Sequence, residues 1–244
     1  MAGEATFHLR PTAALAERVL LPGDPGRALA LAQALLHKPL MFNHHRGLWG
    51  YTGRAADGEP LSIQSTGMGG PSAAIVLHEL IVLGAKRAIR VGTCGALDGE
   101  LGLGDLVIVD EAIAADGTSR VLSGSERLAA DRALISALRD ADASGPEQSL
   151  PTPARIGTVV STDLFYEPNR SREHGWRAAG AMAVEMEAAT LFSLGAAAGI
   201  QVACVLAVSD TFNGKGERQL IKDEQLLDAA ERMGRLAANA LSGV

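Results

Sequence analysis

With 244 residues, 47% of them hydrophobic and 20% charged, the chain has the balance of one large globular domain, not of a disordered segment. A net charge of −6 and an aromatic content of 4% exclude a basic, ring-studded surface for following a nucleic acid, so an anion must be caught by a local arginine cluster. Cys94 and Cys204 lie in apolar runs and read as core residues of a reducing compartment. No apolar run reaches membrane-spanning length and the first ten residues do not resemble a signal peptide, so a soluble, cytoplasmic protein is expected.

Residues 1–18 read as a short polar arm in which His8 is solvent-exposed. Val19-Leu20-Leu21 is a strand running into Pro22-Gly23-Asp24-Pro25-Gly26-Arg27, where Asp24 can cap a helix whose first position is Pro25. The helix continues through Ala28–Leu36. A glycine ahead of a helix start with Arg27 in its first turn suits a phosphate, although an ordinary strand–turn–helix fits the same residues. Asn43-His44-His45-Arg46-Gly47 follows. Neighbouring histidines in a strand point to opposite faces and no third ligand is spaced nearby, so no metal is expected there. Asp57-Gly58 between Gly50–Arg54 and Leu61–Ser65 reads as a hairpin.

Thr66-Gly67-Met68-Gly69-Gly70-Pro71-Ser72 opens an apolar helix over Ala73–Leu83. It imitates a dinucleotide turn, but Ser72 takes the place of the third glycine and no acidic residue closes the next strand. That strand, within Ala88–Ala96, carries Arg90 in an apolar run and ends in Gly92-Thr93-Cys94-Gly95. A guanidinium in a dry sheet needs a carboxylate or an anion to meet it. The run reads either as an oxyanion site at a strand's carboxyl end or as an edge-strand arginine paired with a surface carboxylate.

Asp105–Asp110 is a further short strand, Arg127–Ala143 a helix candidate, Ser144–Pro153 a loop and Ile156–Ser161 a strand ending in Thr162-Asp163-Leu164-Phe165-Tyr166. In Ala183–Ala189, an extended backbone puts Glu185 and Glu187 on one face, ahead of a helix to about Ala198. Gln201–Val208 is the last strand and ends in Ser209-Asp210. Gly214-Lys215-Gly216 reads as a mobile loop, and Leu226–Leu241 as a closing amphipathic helix.

Taken in order, Leu21–Arg27, His45-Arg46-Gly47, Thr66–Gly69, Arg90–Gly95, Asp163–Tyr166, Val184–Ala189 and Ser209-Asp210 resemble the bacterial, hexameric type of purine nucleoside phosphorylase, in the family that also holds uridine phosphorylases. The resemblance implies a single α/β domain over 1–244, with a central mixed, partly barrel-like sheet flanked by helices. It implies reversible phosphorolysis of purine (deoxy)ribonucleosides, with inorganic phosphate as co-substrate and no metal or organic cofactor. By the same resemblance Gly23, Arg27, Arg90 and Thr93 bind phosphate, with Arg46 from a neighbouring subunit of a homohexamer (a trimer of dimers). Met186 and Glu187 hold the ribose with Glu185 close by, and His8, also from the neighbour, reaches the 5′-hydroxyl. Phe165 packs on the base, Asp210 protonates it, and Arg218 is the candidate to assist that acid. The uridine-specific members carry a glutamine and an arginine where this chain has Asn169 and Ser171, which favours a purine. Rival readings are a uridine phosphorylase, a nucleosidase that uses water and a non-catalytic nucleotide sensor.

Overall fold

The computed structural model describes residues 6–144, 153–212 and 217–243. The loop at Gly214–Gly216 and most of the one between Ser144 and Pro153 lie outside them. In chain order the elements are β1 (Arg18–Leu21), α1 (Pro25–Leu35), β2 (His37–Asn43), β3 (Gly50–Arg54), β4 (Pro60–Gln64), α2 (Gly70–Val82), β5 (Arg87–Ala96) and β6 (Leu106–Ala115). There follow α3 (Gly117–Ser123), β7 (Arg127–Ala129), α4 (Arg132–Ser144), β8 (Arg155–Thr162), α5 (Arg170–Ala178), β9 (Ala183–Glu185), α6 (Ala188–Ala198), β10 (Gln201–Phe212), β11 (Arg218–Leu220) and α7 (Asp223–Ser242).

The architecture is the expected mixed sheet that partly closes on itself. Strands β5, β10, β6, β8 and β9 form a ring: β10 is parallel to β5 and antiparallel to β6, β8 is parallel to both β6 and β9, and β9 returns antiparallel to β5. From the other end of β5 a second arm leaves through β1, β4, β3 and β2. Their apolar runs are buried because both faces are covered. Leu20, Leu21, Ile63, Ile89, Val91, Val107, Ile108, Val109 and Val205 are fully enclosed, with α1, α2, α6 and α7 contributing Leu31, Leu77, Leu191 and Met233 to one core.

Two strands share one edge of β5. β1 pairs as far as Leu21↔Arg90, and β9 begins at Gly95↔Val184. Between them, residues 91–94 have no strand partner on that side, and this seam is where the site lies. The segments bounding it are turned by their own chemistry. Asp24 accepts the Arg27 N–H at 2.7 Å and starts α1 with Pro25 in its first turn. Gly69, at φ 86°, opens α2 in a conformation closed to most side chains.

Several local readings need correction. The arm is tied down from residue 7: the N–H groups of Phe7, His8 and Leu9 all donate to the Glu79 carboxylate of α2, and Leu9 is fully buried. His8 is one-third exposed, with Nδ1 2.7 Å from Glu79 Oε1. The helix read over Arg127–Ala143 begins later, because Arg127–Ala129 pairs with β6 and Asp131 then caps α4 by accepting from Leu134 N–H at 3.0 Å. β6 is longer than the strand read at Asp105–Asp110, and Ser209-Asp210 lies within β10, not beyond its end. β5 is central, so the edge-strand reading of Arg90 falls.

Candidate active site

A cavity of about 370 Å³ opens at the seam. Gly23, Arg27, Arg90, Thr93, Phe165, Glu185, Met186, Glu187, Asp210 and Arg218 all line it. Asp24, Met68, Cys94, Thr162, Leu164, Val184 and Ser209 line it too; each falls in a stretch the sequence marks, but the sequence reading gives none of them a part in binding or catalysis. Asp24 reads as a helix cap, and the others are uncharged residues with nothing local that marks a contact to a ligand.

Arg90 anchors one end. Its side chain is buried and lies between two carboxylates: Nε donates to Glu185 Oε2 at 3.1 Å and Nη2 pairs with Glu187 Oε2. Nη1 is buried with no partner among the described residues, close to the open side of Gly23, where a Cβ would stand 4.0 Å away. A buried N–H on a charged group without an acceptor is expensive, so this donor asks for an anion. Gly92 makes the pose possible, since a Cβ there would fall 2.6 Å from Arg90 Cζ. Burial opposes the charge on Arg90, but Glu187 and then Glu185 outweigh it and hold its proton more tightly than usual. Arg27 faces the same space with its proton held less tightly than usual. Burial is the main cause, opposed by Asp24 and reinforced by Arg90. Two guanidiniums, one of them with an N–H that has no acceptor among the described residues, beside a glycine at a helix start are groups suited to an oxyanion.

The two glutamates do not share a strand face as read. β9 stops at Glu185, and Glu187 stands at the start of α6 with φ −139° and ψ −21°; their two carboxylates converge on Arg90. Glu187 Oε1 also accepts the Gly69 N–H at 2.5 Å, which links it to the Gly67–Gly70 turn. Glu185, expected beside the ribose, has its carboxylate wholly buried on Arg90, Ser161 and the first N–H groups of α6. Burial raises its pKa despite Arg90, and Glu187 adds to the rise.

The other end is built on β10. The register with β5 shifts between Val208 and Asp210, leaving Ser209 as an extra residue that re-aims the side chains after it. Asp210 packs over Gly95, where a Cβ would come within 2.8 Å of Oδ2. Arg218 Nε donates to the same oxygen at 2.8 Å. This is set by the β10–β11 hairpin, in which Phe212 pairs with Arg218. The Arg218 guanidinium stands 4.6 Å from the Phe165 ring centroid, so an aromatic face, an arginine and a buried carboxylate border one space.

The family model for the Phosphorylase superfamily matches residues 17–242. The chain belongs to that family. It is similar to the protein named Purine nucleoside phosphorylase DeoD-type of Geobacillus kaustophilus (strain HTA426), with 39% identity over 234 residues covering 91% of this chain and 96% of that one. The protein of the same name from Clostridium novyi (strain NT) is 36% identical over 212 residues, 86% of this chain and 89% of its own. That of Bacillus thuringiensis (strain Al Hakam) is 37% identical over 225 residues, 88% of this chain and 94% of its own.

Within this phosphorylase-superfamily fold, His8 and Arg46 stand outside the cavity. They are neighbours on another surface: His45 Nδ1 is 3.2 Å from the His8 carbonyl oxygen, and Arg46, at φ 58°, sits in the exposed turn beside it. Asn169 and Ser171 are engaged elsewhere, since Asn169 Oδ1 accepts from the Ser171 N–H at 3.0 Å and hydroxyl at 2.6 Å to start α5. Among the described residues no helix is long and apolar enough to cross a membrane.

Proposed function

We propose that the chain catalyses the reversible phosphorolysis of purine ribo- and deoxyribonucleosides, giving free base and (deoxy)ribose 1-phosphate. The observation that carries this is the partnerless, buried Nη1 of Arg90 facing Gly23, next to Arg27. The names of the relatives support the nucleoside and the purine. Phosphate enters as co-substrate on Gly23, Arg27, Arg90 and Thr93, and no further cofactor is called for by the chemistry.

The reaction follows from these positions. Phosphate is a weak nucleophile towards the anomeric carbon, so the glycosidic bond largely breaks first, through an oxocarbenium-like ribose. Arginines fix the phosphate beneath that carbon, and its charge steadies the cation. Glu187 and Met186 hold the ribose: each Glu187 oxygen already accepts one protein donor and keeps a lone pair for a sugar hydroxyl. The base lies against Phe165. Asp210 gives its proton to a ring nitrogen of the departing purine, and Arg218 stabilises the carboxylate that remains. The helix-starting role of Asn169 and Ser171 gives no reader for a pyrimidine, which disfavours uridine.

The site is completed by a second copy in a homohexamer built as a trimer of dimers. Supporting this, His8 and Arg46 lie together, off the cavity, and the stretches that carry them also expose the apolar side chains of Phe7, Leu40 and Met41. The chain works as one domain in the cytoplasm, in keeping with its two free, buried cysteines.

The direct test is base release from inosine with and without phosphate. Release that depends on phosphate, with ribose 1-phosphate as co-product, is expected. Equal release in phosphate-free buffer would make the enzyme a hydrolase, and no release from any nucleoside would make it a binder.

A further inference from the structure

The oxyanion reading of Arg90 explains Nη1 but not why the guanidinium stays aimed that way. An arginine carries five N–H donors on a long, flexible stem, and left to itself it would turn towards whichever acceptors were nearest. In this chain the answer lies behind it. Glu185 Oε2 accepts from Arg90 Nε at 3.1 Å and from Glu187 N–H at 2.8 Å. Both Glu185 oxygens lie 3.0 Å from the Ala188 N–H. Oε1 also accepts from the Ser161 hydroxyl, and that hydroxyl oxygen accepts the Ala189 N–H at 2.9 Å. The carboxylate is therefore held from three sides, by the end of β8, by the first turn of α6 and by Arg90. The positive end of the α6 backbone favours its charge. Strand register brings the group together, because Ser161 is the direct partner of Glu185 in the β8–β9 pairing.

We propose that Glu185 and Ser161 are positioning residues for phosphate capture: they fix Arg90 so that Nη1 faces the Gly23 side of the cavity. Glu185 is thus not a ribose ligand. Its side chain is wholly buried and its lone pairs are taken by protein donors, so a sugar hydroxyl finds no acceptor there. Glu187 takes Nη2 alone, and one contact to one nitrogen leaves the guanidinium free to swing about it. The Nε contact to Glu185 removes that freedom. Ser161 acts one step further back, by holding Glu185 and the start of α6 in line.

The inference rests on the phosphorolysis reading, and its test separates the two. Glu185→Gln and Ser161→Ala are compared with wild type on inosine and on 2′-deoxyinosine, with phosphate and nucleoside varied independently. Wild type that needs no phosphate would remove the underlying reading before any variant is measured. With that reading in place, Glu185→Gln should raise KM for phosphate by about 10-fold to 100-fold, the scale of one hydrogen bond to a charged group. It should do so equally on the two nucleosides, leaving their KM values within about twofold. Ser161→Ala should show the same pattern at a few-fold, and it carries the test alone if Glu185→Gln does not fold. A loss on inosine that is absent on 2′-deoxyinosine, with KM for phosphate unchanged, would place Glu185 on the 2′-hydroxyl and overturn the proposal. Lowered thermal stability with neither KM moved would reduce the pair to a support of α6, and would overturn it as well.

Discussion

In the proposed reaction, Asp210 and Arg218 form the pair on which proton transfer depends. Arg218 Nε donates to Oδ2, so a charged donor already stands on the oxygen left once the proton has gone to the base. Asp210→Asn keeps the shape of the side chain over Gly95 and removes the proton. Inosine phosphorolysis should slow by ~10²–10⁴-fold, the usual contribution of a general acid. A base that already bears positive charge, as in 7-methylguanosine, needs no proton to leave and should be largely spared. Rates on both nucleosides, measured side by side, decide the matter: equal losses would make Asp210 a positioning group. Gly92 and Gly95 set the same kind of limit by volume. Each leaves space that a neighbouring charged side chain fills, so a methyl group there would push on Arg90 or on Asp210 before it touched a substrate.

At the scale of elements, one ion pair ties three pieces together. Arg18, at the start of β1, donates Nη1 to Asp57 Oδ2 at 2.6 Å and Nη2 to Oδ1 at 2.7 Å, and also reaches the Pro60 and Glu59 carbonyls and the Ser242 hydroxyl at the end of α7. The hairpin loop, the first strand and the last helix are thereby joined through one guanidinium. The Arg18 donors hold the Asp57 carboxyl well below the usual carboxylate range. A folded-state pKa below the unfolded one gives stability that is present above the unfolded value, about 3.9, and is lost as pH falls towards the folded one. Asp57→Asn should therefore cost about 2 kcal/mol at pH 7. The gap from wild type should narrow progressively below about pH 4. Denaturant unfolding at pH 7 and pH 3 checks it, and an equal deficit at both would show that charge is not the cause.

The elements also show what could be read from the chain alone. The strands β1 and β10 are legible because burial on both faces forces apolar runs, β5 and β8 because they keep shorter stretches of the same kind, and α1 because Asp24-Pro25 is a local start signal. β2 is not, since five of its seven residues are not buried and Lys38 has φ 50°, which breaks any alternation. The three residues of β7 bury only Leu128, and α5 is polar and charged almost throughout. The site residues gathered in the cavity were legible as short motifs in a fixed order. The link from Ser161 to Arg90 was not, because a serine at a strand end carries no mark of a partner 24 residues away in another strand.

For the whole molecule, the question is whether one chain contains its own site. Arg90 lies in the cavity and Arg46 on a separate surface. If the second serves a neighbour, Arg46→Ala and Arg90→Ala chains should each be nearly inactive alone, while mixed oligomers regain activity because some sites receive both arginines. Subunit exchange followed by assay reads this out, and exchange without recovery would count against shared sites.

The closed ring of strands also dictates when function can begin. Arg90 belongs to β5 and Asp210 to β10, and the two strands lie side by side from Gln201↔Arg87 to Asp210↔Gly95 although more than a hundred residues separate them in the chain. Pairings between such distant segments close large loops and form late. During synthesis β5 emerges long before its partner and waits with one long edge bare, in a largely apolar strand. The Arg90 end and the Asp210 end of the cavity are therefore joined in the event that seals that edge. A chain in which β10 has not yet docked lacks Asp210 beside Gly95, so the cavity gains its second end only as the time of greatest exposure to aggregation closes.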